Sequence, residues 1–170
     1  MDNLIKTKNP DIVLRFATEA DVPLILSLIK GIAEYEKLSH EVVATENLLK
    51  ENLFGKRRTA EVLLADFKNE PAGFALFFHN FSTFLGKPGI YLEDLFVKPE
   101  LRGEGIGKLL LTYLGKLAIE RDCGRIEWSV LDWNEPAINF YKKLGAHPMD
   151  EWTVFRVTGE AIGKLADLFN

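Results

Sequence analysis

Apolar residues in this chain follow two rhythms, and the switches between them predict most of its elements. Ile12-Val13-Leu14-Arg15-Phe16 is a short run of β-formers and predicts a strand. Thr18 and Asp21 then carry capping-box spacing, and Ile25, Leu28, Ile29 and Ile32 fall on one helical stripe, predicting a helix that ends near Tyr35. A second helix is predicted from about Thr45 to Phe54 through Leu48, Leu49 and Leu53. The period then changes. Glu61 to Phe67 and Ala72 to Phe78 are apolar runs split by Lys68-Asn69-Glu70-Pro71, the pattern of a hairpin with a four-residue turn. Ile90 to Val97 reads as a third strand of this group, after a loop holding Gly86, Pro88 and Gly89. The helical stripe returns from about Gly105 to Arg121 in Ile106, Leu109, Leu110, Tyr113, Leu114 and Leu117, with Gly124 placed as its stop. Arg125 to Leu131 predicts another strand and Pro136 to Lys143 a short helix closed by Gly145. Trp152 to Val157 predicts a late strand, and Glu160 to Leu168 a terminal helix. The first ten residues are polar and are expected to fray.

This order, β-α-α-β-β-β-α-β-α-β-α, joins an antiparallel meander to one strand–helix–strand crossover between Ile90 and Leu131. It implies the α/β (α+β) class, a mixed central β-sheet with helices on both faces. At 170 residues, with no repeat or linker, one domain over 1–170 is expected. A 47% hydrophobic content is too high for a disordered chain, and no apolar run reaches the ~18–20 residues of a membrane span. Met1-Asp2-Asn3-Leu4-Ile5-Lys6 lacks a continuous apolar core, so a cytoplasmic location without membrane association is expected. The 21 basic and 25 acidic residues leave a net charge of −4, which argues against a nucleic-acid partner. Cys123 is the lone cysteine, and His40, His79 and His147 show no ligand spacing, so no metal is expected. Lys56-Arg57-Arg58 reads as a solvated basic cluster, with an adenosine phosphate as the alternative.

The most informative stretch runs from Val97 to Leu109. Gly103, Gly105 and Gly107 lie between an apolar strand and a long helix, where bare backbone amides and the helix dipole favour an anion. A dinucleotide fingerprint starting at Gly103 needs glycine where Lys108 stands, and a Walker loop needs glycine at Arg102 and Ser or Thr at Leu109. Three alternating glycines are explained equally well by a tight turn; Arg102 at the loop entrance tips the balance toward a pyrophosphate.

Arg102-Gly103-Glu104-Gly105-Ile106-Gly107 resembles the acetyl-CoA loop of the GNAT superfamily of N-acetyltransferases, whose pattern Gln/Arg-x-x-Gly-x-Gly/Ala is met by Arg102, Gly105 and Gly107. The likeness is closer to its diamine branch, the spermidine/spermine and thialysine types. It is carried by Leu28-Ile29-Lys30 through Tyr35-Glu36, by Tyr91 to Val97, by Asp132-Trp133-Asn134-Glu135-Pro136, and by Asn139 to Ala146. The resemblance implies the GNAT fold, acetyl-CoA as co-substrate, a small-molecule amine acceptor and a homodimer. It implies coenzyme contacts from Leu95, Phe96 and Val97, from Arg102 through Lys108, and from Asn134, Glu135, Pro136, Ala137 and Tyr141. Asn134 also reads locally as a helix N-cap with Pro136 in the first turn. It further implies acceptor contacts from Tyr35, Glu36, Glu93, Asp94, Glu127, Trp128, Ser129 and Glu151.

Acetyl transfer to an amine requires the neutral amine, yet a lysine-like ammonium of pKa ~10.4 is neutral in only about one molecule in 2,500 at pH 7. Glu93 and Asp94 are neighbours in an otherwise apolar strand. Strand alternation would point them to opposite faces, and each needs either an arginine, an irregular exposed edge or a cationic ligand. Glu93 is assigned as the water-mediated base and Asp94 as a cation-binding group. Tyr141 matches the family's acid for the departing thiolate; a tyrosine on a short helix is otherwise a packing residue. Ser82 stands where the spermidine/spermine type carries aspartate, so lysine-like amines or short diamines are expected to outperform spermine. Protein lysine or N-terminal acetylation is the competing activity, and a non-catalytic acyl-CoA-binding regulator the competing class.

Overall fold

The computed structural model describes residues Leu4–Phe169, and the chain divides into two compact units, Met1–Ser129 and Val130–Asn170. The first holds one six-stranded sheet: β1 (Leu4–Lys6), β2 (Ile12–Phe16), β3 (Glu61–Phe67), β4 (Glu70–Ser82), β5 (Lys87–Val97) and β6 (Ile126–Trp128). The strands lie side by side in chain order. All neighbours are antiparallel except β5 and β6, which are parallel. Between the strands come α1 (Val22–Tyr35), α2 (Glu46–Phe54) and α3 (Ile106–Glu120), the last being the crossover that parallel β5 and β6 require.

Strand alternation splits the core into two layers. Val62, Leu64, Phe74 and Phe96 pack with Ile25 and Leu28 of α1 and Leu53 of α2. The intervening Leu63, Ala65 and Ala75 are equally buried, and α3, which packs on β3, β4 and β5, buries Ile106, Leu110, Leu114 and Leu117. Gly31 permits the close seat of α1, since a Cβ there would come within 2.9 Å of the Phe96 ring. The mixed sheet with helices on both faces is therefore as its element order implies.

The entry into α1 uses the expected pair: Thr18 N and Oγ1 both donate to Asp21 Oδ2, at 2.8 and 2.9 Å. Asp21 also accepts two bonds from the Arg15 guanidinium, which hold its carboxyl down at about 2.

Several boundaries differ from the sequence expectation. Residues 4–6 do not fray but pair with β2, Leu4 opposite Arg15; residues 1–3 lie outside the described residues. The β3–β4 hairpin turns on two residues rather than four. Lys68 and Asn69 both take left-handed backbone (φ 52° and 67°), the geometry whose twist suits a tight hairpin, and Glu70 and Pro71 already belong to β4. Asp122 (φ 52°), not Gly124, takes the left-handed position after α3, with Asp122 N donating to Ile119 O and Cys123 N to Ala118 O. Strand β6 has three residues instead of seven.

The second unit contains α4 (Glu135–Lys143) and α5 (Glu160–Asp167). Asn134 caps α4, accepting from Ala137 N at 3.4 Å, and Gly145 (φ 91°) closes it, both as expected. The strand expected over Trp152 to Val157 is absent; the segment is irregular, with Phe155 93% exposed. A strand needs a ladder partner, and among its described residues this unit contains no strand. No helix among the described residues is long and apolar enough to cross a membrane.

Candidate active site

The site begins where two parallel strands part. Strand β5 pairs with β6 only through Ile90, Tyr91 and Leu92, opposite Ile126, Glu127 and Trp128. Beyond Leu92 the β5 backbone runs on to Val97 with β4 on one side and, among the described residues, no strand on the other. An acyl-pantetheine arm has the amide groups to use that edge.

The split coincides with a bulge. Opposite consecutive Leu76 and Phe77 of β4 stand Asp94 and Leu92 of β5, so Glu93 is the extra residue. The bulge cancels the alternation that would send Glu93 and Asp94 to opposite faces. Glu93 is exposed, the outcome expected of an irregular edge, whereas Asp94 is partly buried. Burial, the neighbouring Glu93 charge and the Glu36 charge from the end of α1 together push the Asp94 carboxyl up to about 6. Burial likewise raises Glu36. No lysine or arginine among the described residues forms an ion pair with Asp94 or Glu93. Three carboxylates from two elements thus form one patch that lacks a cation, and two adjacent acids in an apolar strand were its sequence signal.

The loop after Val97 makes one tight turn, Pro99–Leu101, before the glycines. Gly103 (φ 94°) and Gly105 (φ 85°) take backbone that side chains resist, and the space a Cβ would enter is empty within 4 Å at both. Gly105 is the N-cap of α3 yet has no side chain to cap with; the first helical bond runs from Leu109 N to Gly105 O. The amides of Ile106, Gly107 and Lys108 therefore precede any intrahelical acceptor. The loop from Arg102 to Gly105 is exposed, and Gly107 packs beside Val97 Cγ2. These features fit a pyrophosphate bound through main-chain nitrogen.

Other expected site residues have structural engagements. Glu127 Oε2 accepts from Asn80 Nδ2 at 2.8 Å and lies 2.8 Å from Arg125 Nε, and it is not among the charges acting on Asp94. Ser129 Oγ shares a 2.9 Å hydrogen bond with Tyr91 Oη. Ser82 is buried and accepts from Leu85 N within the β4–β5 turn. The Asn80–Glu127 contact escaped the sequence reading, because only tertiary pairing brings residues 47 apart together. In the second unit, α4 carries Tyr141 one position from Phe140, their ring centroids 5.3 Å apart, while Glu151 sits in an exposed turn. No group of three or more His, Cys, Asp or Glu among the described residues is arranged to hold a metal ion.

Comparison with known proteins agrees with this geometry. The Acetyltransferase (GNAT) family profile matches residues 29–146, running across the boundary between the two units. The thialysine N-epsilon-acetyltransferase of Bos taurus is 39% identical over 166 residues, covering 91% of this chain and 97% of that one. L-ornithine N5-acetyltransferase NATA1 of Arabidopsis thaliana is 36% identical, covering 91% and 88%. Among solved structures, an integron cassette protein from the mobile metagenome of V. cholerae superposes with a TM-score of 0.77 at 26% identity, covering 92% of this chain and 98% of that one. With a split parallel strand pair, a glycine-capped helix and relatives of this similarity, the chain belongs to the GNAT family of acetyltransferases and has its fold.

Proposed function

We propose that this acetyltransferase moves acetyl from acetyl-CoA directly to the primary amine of a small cationic acceptor of the lysine-like or short-diamine kind. The observation that carries the reading is the patch of Glu36, Glu93 and Asp94 at the bulge, a set of carboxylates with no basic partner beside an exposed coenzyme loop. Two relatives named for acetylating side-chain amines, on thialysine and on ornithine, support it.

In this reading the amides of Gly103, Gly105, Ile106, Gly107 and Lys108 hold the pyrophosphate, flanked by Arg102 and Glu104. The β5 backbone at Leu95, Phe96 and Val97 aligns the pantetheine arm and the thioester carbonyl. Asp94 and Glu36 draw the acceptor ammonium to the bulge, with Tyr35, Glu127, Trp128, Ser129 and Glu151 as further acceptor contacts. Glu93, exposed at the bulge, orders the water that takes the ammonium proton, leaving the amine lone pair free to attack the thioester carbon. Tyr141 donates its phenolic proton to the departing thiolate, and Asn134, Glu135, Pro136 and Ala137 supply a further coenzyme contact. Carbon–nitrogen bond formation and carbon–sulfur cleavage balance without a metal. The working unit is one domain over residues 1–170, a homodimer in the cytoplasm.

A coenzyme-release assay with acetyl-CoA over diamines, polyamines, ornithine, lysine analogues and a lysine peptide tests the reading. Lysine-like amines and short diamines are expected to give the highest kcat/KM. A decisive preference for spermine would replace the acceptor class, and preference for the peptide would make the protein a lysine acetyltransferase. Coenzyme binding without turnover on any amine would make it a regulator.

A further inference from the structure

A row of side chains runs across one face of β4, β5 and β6. Phe78 stands opposite Tyr91 in the β4–β5 ladder, and their ring centroids lie 5.2 Å apart with the planes tilted by 32°. Tyr91 stands opposite Glu127 in the β5–β6 ladder, and its Oη shares a 2.9 Å hydrogen bond with Ser129 Oγ. Residues two apart on a strand share a face, and a tyrosine is long enough to reach such a diagonal neighbour. This bond crosses the point where the strands part. The ladder ends at Leu92 opposite Trp128, so Tyr91 lies inside it and Ser129 is the first residue past it. A parallel ladder of three register pairs is weak, and its end frays or zips further unless side chains pin it.

From this geometry we propose that Tyr91 is a positioning residue, latched to Ser129, that fixes where β6 leaves β5 and so sets the opening that receives the pantetheine arm. The inference rests on the coenzyme reading above, in which the arm lies along the β5 backbone at Leu95, Phe96 and Val97. That backbone is available to coenzyme amides only while β6 stays off it. Further zipping of β6 would take up β5 groups beyond Leu92, and fraying back toward Ile90 would widen the opening. The other end of the ladder is held separately, by Ile90 N donating to Arg125 O at 3.0 Å and Asn80 Nδ2 donating to Glu127. The Phe78 ring restrains the phenol before the bond forms, which lowers the entropy lost in making it.

The test is calorimetry with two probes: coenzyme A, and 3′-phosphoadenosine 5′-diphosphate, the fragment that keeps the pyrophosphate and lacks the pantetheine arm. Both are titrated into the wild-type protein, Tyr91→Phe, Ser129→Ala, the double variant and Ser129→Thr. Tyr91→Phe keeps the ring beside Phe78 and loses only the hydroxyl. It is expected to weaken coenzyme A about fivefold, the worth of one net hydrogen bond, and to bind the fragment as the wild type does. Ser129→Ala should match it, and the double variant should be no weaker than either single one, because one shared bond is lost in all three. Ser129→Thr retains a hydroxyl and should keep most of the affinity for coenzyme A. The KM for acetyl-CoA should rise with these losses while kcat changes by less than about twofold. Wild-type coenzyme A affinity in both single variants overturns the latch alone. So do additive losses in the double variant, an equal loss of affinity for the fragment, or a Ser129→Ala defect confined to the amine KM with Tyr91→Phe silent. No heat with coenzyme A in the wild-type protein fails the coenzyme reading and this inference with it.

Discussion

The two ends of the crossover formed by β5, α3 and β6 are built on opposite principles. At one end, where β5 starts and α3 stops, most polar groups are paired, although Asn80 Oδ1 is buried without a hydrogen-bond partner among the described residues. Ile90 N donates to Arg125 O and Gly124 N to Pro88 O. Glu127 receives Asn80 and Arg125, Arg121 is paired with Glu61, and the last carbonyls of α3 are closed through Asp122 and Cys123. At the other end, where β5 finishes and α3 begins, groups are left open. The β5 edge past Leu92 has no neighbouring strand, the α3 N-cap has no side chain, and Asp94 is held up at about 6 without a cation. Both ends share the same strand and helix, so one scaffold carries a largely paired end and an open one.

The largest test of this contrast is Gly105→Val. A β-branched residue at φ 85° costs about 1–2 kcal/mol of backbone strain and puts methyl groups in front of the open amides. The kcat/KM for acetyl-CoA is expected to fall by on the order of a hundredfold; wild-type coenzyme affinity by calorimetry would remove the phosphate role from this end.

Next is Asp94→Asn. A carboxyl raised from 3.8 to about 6 binds its proton more tightly in the folded state. It therefore favours folding most below pH 3.8, and that contribution is lost as pH rises through about 6. Replacing it should stabilise the protein at pH 8 by on the order of 2 kcal/mol, raising Tm by roughly 5 °C, with the gain vanishing near pH 4. Activity should move the other way, with kcat/KM for the amine down about tenfold or more. Wild-type amine binding should strengthen as pH passes 6 and the carboxylate forms. A variant both less stable and fully active would contradict the assignment of an open, functional end.

At the closed end effects should fall on stability alone. Asn80→Ala removes the donor to Glu127 and is expected to cost about 1 kcal/mol, read as a lower Tm, with kcat/KM unchanged; an activity loss beyond the stability loss would blur the division between the ends. The smallest effect is expected from Asp122→Gly. Glycine takes the left-handed position without strain, and the Lys87 pair it removes is 82% exposed on the Asp122 side. A gain of about 0.5 kcal/mol in denaturant unfolding is expected.

Much of this was legible along the chain. The helical stripe of Ile106, Leu110 and Leu114 and the apolar runs of β3 to β5 each announce a core face, because periodicity is a local property. Thr18 with Asp21 and Asn134 with Pro136 mark helix starts for the same reason. The errors lie where a partner decides. Leu4–Lys6 looks like a polar tail until β2 offers a ladder, and Trp152 to Val157 looks like a strand although its own unit offers none. Gly124 is the obvious helix stop, but Asp122 takes that backbone two residues earlier.

The sequence by itself determined the glycine spacing at 103, 105 and 107, the paired acids at 93 and 94 and the order of elements from β2 to α4, because these depend on residue type and period alone. Only the tertiary structure decided that β6 leaves β5 at Leu92, that Glu93 bulges beside an Asp94 whose carboxyl is raised to about 6, that Glu127 is spent on Asn80 and Arg125, and that Arg102 rests on Tyr35. Each of those facts is a pairing between residues distant in the chain, and such pairings are fixed by packing energy summed over the whole sheet rather than by any local pattern.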